Sequence, residues 1–165
     1  MQHDAPPGSK RVFITATQQT GAFGGLAGGD ALCTTAAATL GGGTWKAWLS
    51  THPVHAIERI TGSGPWFDTL GYVVFANREQ LMTKPARPIF YDEAGGFLQF
   101  GLIWTGTAPG GTYVATPSGP PCAEWTSAER SAQAKIGLVG ARDLTWTAQT
   151  NMTCDQQAHL LCFEQ

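Results

Sequence analysis

The stretch Gly24-Gly25-Leu26-Ala27-Gly28-Gly29-Asp30-Ala31-Leu32-Cys33 decides how this 165-residue chain is read. Its glycines, with Gly21, read as a turn. Asp30 then reads as the N-cap of a helix running to about Leu40. Within that helix Cys33, Ala36, Ala37 and Leu40 recur at helical spacing, so Cys33 should face the core. Gly41-Gly42-Gly43 ends the helix. The other three cysteines, Cys122, Cys154 and Cys162, lie far downstream. No pair has Cys-x-x-Cys spacing, so zinc-ribbon and thioredoxin patterns are missing. Two readings remain: two disulfides formed in an oxidising compartment, or four buried thiols in a reducing one. The sparse charge and the lack of metal-ligand spacing favour disulfides, with three connectivities open.

Outward from the first helix, β-forming runs alternate with turns. Residues 11–16, 45–50, 72–76, 102–105 and 159–163 read as strands. Residues 55–60 read as a second short helix and 78–82 as one or two helical turns. Ile89-Phe90-Tyr91 and Phe97-Leu98-Gln99-Phe100 flank Asp92-Glu93-Ala94-Gly95-Gly96, a hairpin signal with a longer loop. The pattern predicts one α+β domain over residues 11–165, with two short helices near the front and many short, mostly antiparallel strands. Residues 1–10 carry no apolar run. They read as a linker tail rather than a signal peptide, as expected for one domain of a longer exported protein.

Composition narrows function by exclusion. Charged residues are only 13% of the chain and the formal net charge is −2. No basic excess is available for phosphates, so nucleic acid is a poor partner. No apolar run approaches the ~20 residues of a membrane span, so no membrane insertion is expected. Gly62-Ser63-Gly64 lacks the frame of a nucleophile elbow, and no zinc-protease or phosphate-loop motif is present. Adjacent Asp92 and Glu93 at a turn read as solvated rather than catalytic. His52 and His55 form an H-x-x-H pair at a helix entry, more consistent with a loop start than a metal site. No catalytic residue, metal site or cofactor is expected. The six tryptophans read mainly as core.

Several stretches in order resemble the endostatin domain of animal collagens and its bacterial endostatin-like relatives. They are the Gly24–Cys33 run, Gly43-Thr44-Trp45-Lys46-Ala47-Trp48-Leu49-Ser50, Ile89-Phe90, Trp104-Thr105-Gly106, Cys122-Ala123-Glu124-Trp125, and Cys154 with Leu160-Leu161-Cys162-Phe163-Glu164. The resemblance implies a compact C-type-lectin-like fold. It also implies nested disulfides, Cys33–Cys162 and Cys122–Cys154. It does not carry over the family's zinc and heparin chemistry. His3 falls where one zinc ligand could be, but Arg11 and Gly71 fall near the other ligands' places. Gly24, Ala27 and Thr126 match its main arginines. Calcium-dependent sugar binding is disfavoured too, because Leu144-Thr145-Trp146-Thr147-Ala148 lacks the carboxylates of such a site.

The bacterial relatives resemble this chain better, and they imply an extracellular or cell-surface module of an adhesin. Its partner would be a host or prey surface protein or a glycan, and its role cell adhesion without catalysis. The alternative is a structural cap that holds a fibre or surface assembly together, with the domain as a homo-oligomer in its parent protein. The Gly- and Pro-rich loop from Gly106 to Pro121, pinned by Cys122, is the expected recognition element. Thr112, Tyr113 and Thr116 are its candidate ligand-binding residues.

Overall fold

A computed structural model describes residues 5–165; the first four residues of the predicted linker, including His3, lie outside them. The fold is α+β, with three short helices and eight strands in two sheets. Strands β1 (Lys10–Ile14), β2 (Trp45–Ala47), β3 (Trp66–Phe67), β4 (Val73–Phe75) and β8 (Leu161–Glu164) form a sheet in the order β2-β8-β1-β3-β4. Only the β1–β3 pair is parallel. Strands β5 (Leu102–Trp104), β6 (Gln133–Leu138) and β7 (Thr150–Thr153) form an antiparallel sheet in that order. The helices are α1 (Gly25–Ala36), α2 (Ala56–Arg59) and α3 (Cys122–Trp125). Among the described residues three 3₁₀ turns, at Ala37–Leu40, Arg78–Met82 and Leu144–Trp146, complete the secondary structure. Among the described residues no helix is long and apolar enough to cross a membrane.

The two central strands are buried on both faces, which accounts for their unbroken apolar runs. Val12, Ile14, Leu161 and Phe163 point into one half of the core, with Trp48, Trp66, Phe75 and Trp146. Phe13, Leu160 and Cys162 point into the other, with Trp45, Trp104 and Trp125. Phe163 lies 5.6–5.8 Å from three rings, those of Trp48, Trp66 and Phe75. All six tryptophans are at most 2% exposed. Each indole N–H donates a hydrogen bond within the protein. None is therefore a sugar-stacking platform.

Helix α1 starts five residues before the expected N-cap. Gly24, with φ 91°, occupies the cap position, and Asp30 lies mid-helix. The glycines are explained by close packing as well as by turning. A Cβ on Gly28 would sit 1.8 Å from the Phe23 carbonyl oxygen, and one on Gly29 2.6 Å from Leu49. Asp30 instead clamps its neighbours. Its carboxylate accepts from Arg59 at 2.6 and 2.7 Å and from the Ala47 backbone N–H at 2.9 Å. Arg59 is 8% exposed, so this pair works in a partly desolvated setting. Arg11 on β1 similarly makes two hydrogen bonds to Glu164 on β8 and one to the Leu40 carbonyl. The Glu164 hydrogen bond holds the Arg11 guanidinium above its ordinary pKa.

The cysteines pair as Cys33–Cys162 and Cys122–Cys154, closing sequence separations of 129 and 32. Loop-closure entropy assigns about 5 kcal/mol to the long closure and about 4 kcal/mol to the short one. Replacing Cys33 and Cys162 together by serine should cost about 5 kcal/mol of unfolding free energy, and replacing Cys122 and Cys154 about 4 kcal/mol. Chemical denaturation of both variants checks this; losses below about 1 kcal/mol would contradict it.

Candidate functional site

The loop predicted to carry recognition is built on a floor of buried hydroxyls. Ser50 Oγ accepts from the Ala56 N–H at 2.9 Å and lies 2.8 Å from Thr107 Oγ1. Thr107 Oγ1 donates to the Thr105 carbonyl at 2.7 Å, so the Ser50 hydroxyl donates to Thr107. Thr105 Oγ1 donates to the Thr147 carbonyl at 2.6 Å. Ser50, Thr105 and Thr107 are fully buried and their protons are committed, so none is an available nucleophile. Together they fix the 50–56 segment against the loop base.

From that base the chain makes a tight turn. Ala108 N–H donates to the Thr112 carbonyl at 2.8 Å, and Gly111 N–H to Ala108 at 3.0 Å. Gly111 has φ 82°, and a Cβ there would lie 2.6 Å from Ile57. Both conditions demand glycine. The Ile57 N–H donates to the Gly111 carbonyl at 3.0 Å, docking the turn on α2. Tyr113 then meets the His52/His55 pair. Its backbone N–H donates to His55 Nδ1 at 2.8 Å, and its ring stands edge-on to His52 with centroids 5.4 Å apart. Since His55 Nδ1 is an acceptor here, its ring proton resides on Nε2. The two histidines thus anchor and flank Tyr113. Among the described residues no three His, Cys, Asp or Glu side chains converge as a metal site would require.

The far wall of this corner is α3, a turn of unusual hand. Cys122, Ala123, Glu124 and Trp125 have φ of 43°, 50°, 61° and 65°. Left-handed helical backbone costs an L-residue about 1–2 kcal/mol, so the turn stores on the order of 4–8 kcal/mol. Its surroundings hold it in place. Cys122 is bonded to Cys154, and the Cys122 carbonyl accepts from the N–H groups of Thr126 and Ser127 at 3.0 and 2.9 Å. The Trp125 ring stacks on Phe23 at 5.2 Å and its indole donates to the Ser50 carbonyl at 3.0 Å. Gly21 leaves room for the disulfide: a Cβ there would lie 2.3 Å from Cys122 Sγ. The result is that the Glu124 carboxylate accepts the His52 backbone N–H, with both oxygens at 3.2 Å. Burial, and next the Glu124 charge, push the Tyr113 phenol above its ordinary pKa.

The three predicted loop residues thus separate. Thr112 is exposed and Tyr113 half-buried at the corner. Thr116 is 7% exposed and pins its own turn, exchanging two 2.9 Å backbone hydrogen bonds with Gly119 while its hydroxyl meets Ser118 at 2.8 Å. Glu124 had no signal of its own in the sequence. Four consecutive non-glycine residues in left-handed conformation leave no compositional mark, and only adjacency to Cys122 pointed there.

The other sequence candidates are occupied elsewhere. Asp92 accepts from the N–H groups of Ala94 and Gly96 in its own turn, and Glu93 from the distant Ala16 N–H, so both carboxylates are engaged by the backbone. His159 is 2% exposed, with Nδ1 2.6 Å from the Thr15 carbonyl. No protein-family model matches the chain, and no curated protein matches its sequence.

Ala123 is exposed and sits at φ 50°, ψ 52°, so glycine there relieves left-handed strain. Less the roughly 0.4–1 kcal/mol of added unfolded-state freedom, Ala123→Gly should stabilise by about 0.5 kcal/mol. A thermal melt decides it; a clear drop in Tm for this variant would contradict the left-handed turn.

Proposed function

We propose that this domain is an extracellular, non-catalytic binding module that recognises a surface protein or glycan through the Tyr113 corner. Its resemblance to bacterial endostatin-like surface proteins supports a place at the end of an adhesin, and two disulfides fit an oxidising compartment. The observation that carries the reading is the fixing of Tyr113. Its N–H is tied to His55, its ring is braced by His52, and Glu124 is held beside it on a strained turn clamped by a disulfide. An amphipathic ring held rigidly at the surface loses little entropy on binding, which is what an interface anchor needs. Exposed Thr112 adds an adaptable hydroxyl next to it.

Catalysis has weaker support. The buried hydroxyls have committed protons, and the carboxylates of the one adjacent acidic pair, Asp92 and Glu93, are engaged by backbone N–H groups. The test is a binding screen of the oxidised domain on glycan arrays, matrix proteins and cell envelopes. For the ligand found, Tyr113→Ala should weaken binding by about 30-fold, the effect of losing an anchor worth ~2 kcal/mol, while Tm holds. An intact fold that binds nothing in the screen, or a ligand indifferent to Tyr113→Ala, would contradict the proposal.

A further inference from the structure

A second face is built differently from the Tyr113 corner and shares no residue with it. Two grooves of about 500 and 320 Å³ meet at a ridge formed by Arg87, Pro88 and Arg142. Lys84 lies in the larger groove; Tyr72, Tyr91 and Phe97 line the smaller one. Three of the chain's arginines are consumed inside the fold: Arg11 by Glu164, Arg59 by Asp30, and Arg78 by the carbonyls of Ile57 and Ile60. Arg87 and Arg142 are exposed, and among the described residues neither forms a salt bridge. Arg87 lines the smaller groove and lies over the Tyr72 ring, 4.3 Å from its centroid, which holds the guanidinium there.

Four large apolar side chains are exposed among the described residues, and one of them, Phe97, lines the smaller groove. The four are Met82 (41%), Phe97 (59%), Phe100 (82%) and Leu144 (44%). Phe97 packs 5.2 Å from Phe90. Met82 precedes Thr83 of the larger groove, and Leu144 follows Arg142 by two residues. Phe100 precedes Gly101, whose carbonyl accepts from Val139 at 3.0 Å. Short bonds lock these segments together. Gly140 N–H donates to Ile89 at 3.0 Å, Leu98 N–H to Phe90 at 2.7 Å, and the Trp146 indole to Thr83 at 2.9 Å. The face is therefore preorganised.

Its charge differs from that of the whole chain. Lys84, Arg87 and Arg142 face two carboxylates, Asp68 beside Arg87 and Asp143 beside Lys84. Three positive charges less two negative leave the face at +1, on a chain of net charge −2. Tyrosine, phenylalanine and arginine around a cationic centre are residue types that protein interfaces favour. We infer that the Arg87–Arg142 ridge, with the aromatic groove beside it, is a docking face for a protein segment that presents carboxylates beside aromatic or aliphatic side chains. The guanidinium edges take the carboxylates and the exposed rings take the apolar groups.

The inference stands apart from the Tyr113 corner, and amide-resolved NMR titration of the oxidised domain tests it. The probes are phenylacetate, glucuronate and a capped peptide alternating glutamate with phenylalanine. Phenylacetate and the peptide should shift the amides of Tyr72, Arg87, Phe97 and Arg142, with the peptide binding at least about tenfold tighter. Both effects should vanish in the Arg87→Gln, Arg142→Gln double variant, whose spectrum away from Tyr72 and the substituted positions should be unchanged because both side chains are exposed. Shifts located elsewhere, no shifts at all, or survival of binding in the double variant would overturn the inference. So would tighter binding of glucuronate than of phenylacetate, which would make the face a glycan site. Line broadening that grows with protein concentration alone, centred on these amides, would overturn it in favour of a second copy of the chain.

Discussion

Cys162 occupies the point on which the rest of the structure depends. On β8 it pairs in register with Phe13 of β1 on one side and Ala47 of β2 on the other. Through its sulfur it is bonded to Cys33, and so to α1. Its neighbours Leu161 and Phe163 point the opposite way, into the half of the core that holds Trp48, Trp66 and Trp146. Four consecutive residues near the C-terminus thus join both core halves, three strands and the longest helix. Asp30–Arg59 and Arg11–Glu164 reinforce the same joint with charged hydrogen bonds at its margins. A low-charge surface is compatible with this arrangement because most of the binding within the fold comes from burial and from two covalent closures.

The second disulfide has a different task. Cys122 begins a left-handed turn that four L-residues would not adopt unaided, and Cys154 holds that turn against the chain at Gly21. Trp125 then anchors the turn's end in the core, leaving Glu124 beside His52 and Tyr113. Strain, disulfide and site are linked in that order. The site's rigidity comes from how the backbone is held together with the contacts of His52 and His55 to Tyr113. The hydroxyl relay from Ser50 through Thr107 to Thr105 carries the same rigidity to the loop's other end.

Much of this was legible in the sequence. The apolar runs around Val12 and Leu161, the Gly41 helix stop and the hairpin about Asp92–Gly96 are local patterns, and the structure follows them closely. The start of α1 was not legible, because Asp30 looks like a cap whereas its role depends on Arg59, 29 residues away. Strand β6, the longest in the fold, escaped notice because Gln133-Ala134-Lys135-Ile136-Gly137-Leu138 has small or polar residues on a half-buried strand. Gly137 is needed there because a Cβ would lie 2.0 Å from the Trp146 carbonyl oxygen, a packing constraint invisible in one dimension. At the candidate site, Tyr113 was found by its place in a loop pinned by Cys122. Its partners His55 and Glu124 come from segments 58 and 11 residues away, and only folding unites them.

Amide hydrogen exchange at Tyr113 tests the central claim, that the recognition corner is held rigid by the disulfide frame. In the oxidised domain the Tyr113 N–H, bound to His55 Nδ1, should exchange on the slow timescale of the β1 and β8 amides. In the Cys122→Ser, Cys154→Ser variant it should exchange far faster while Phe13 and Cys162 remain protected. Rapid exchange at Tyr113 in the intact domain, or equal protection with and without the Cys122–Cys154 bond, would contradict the claim.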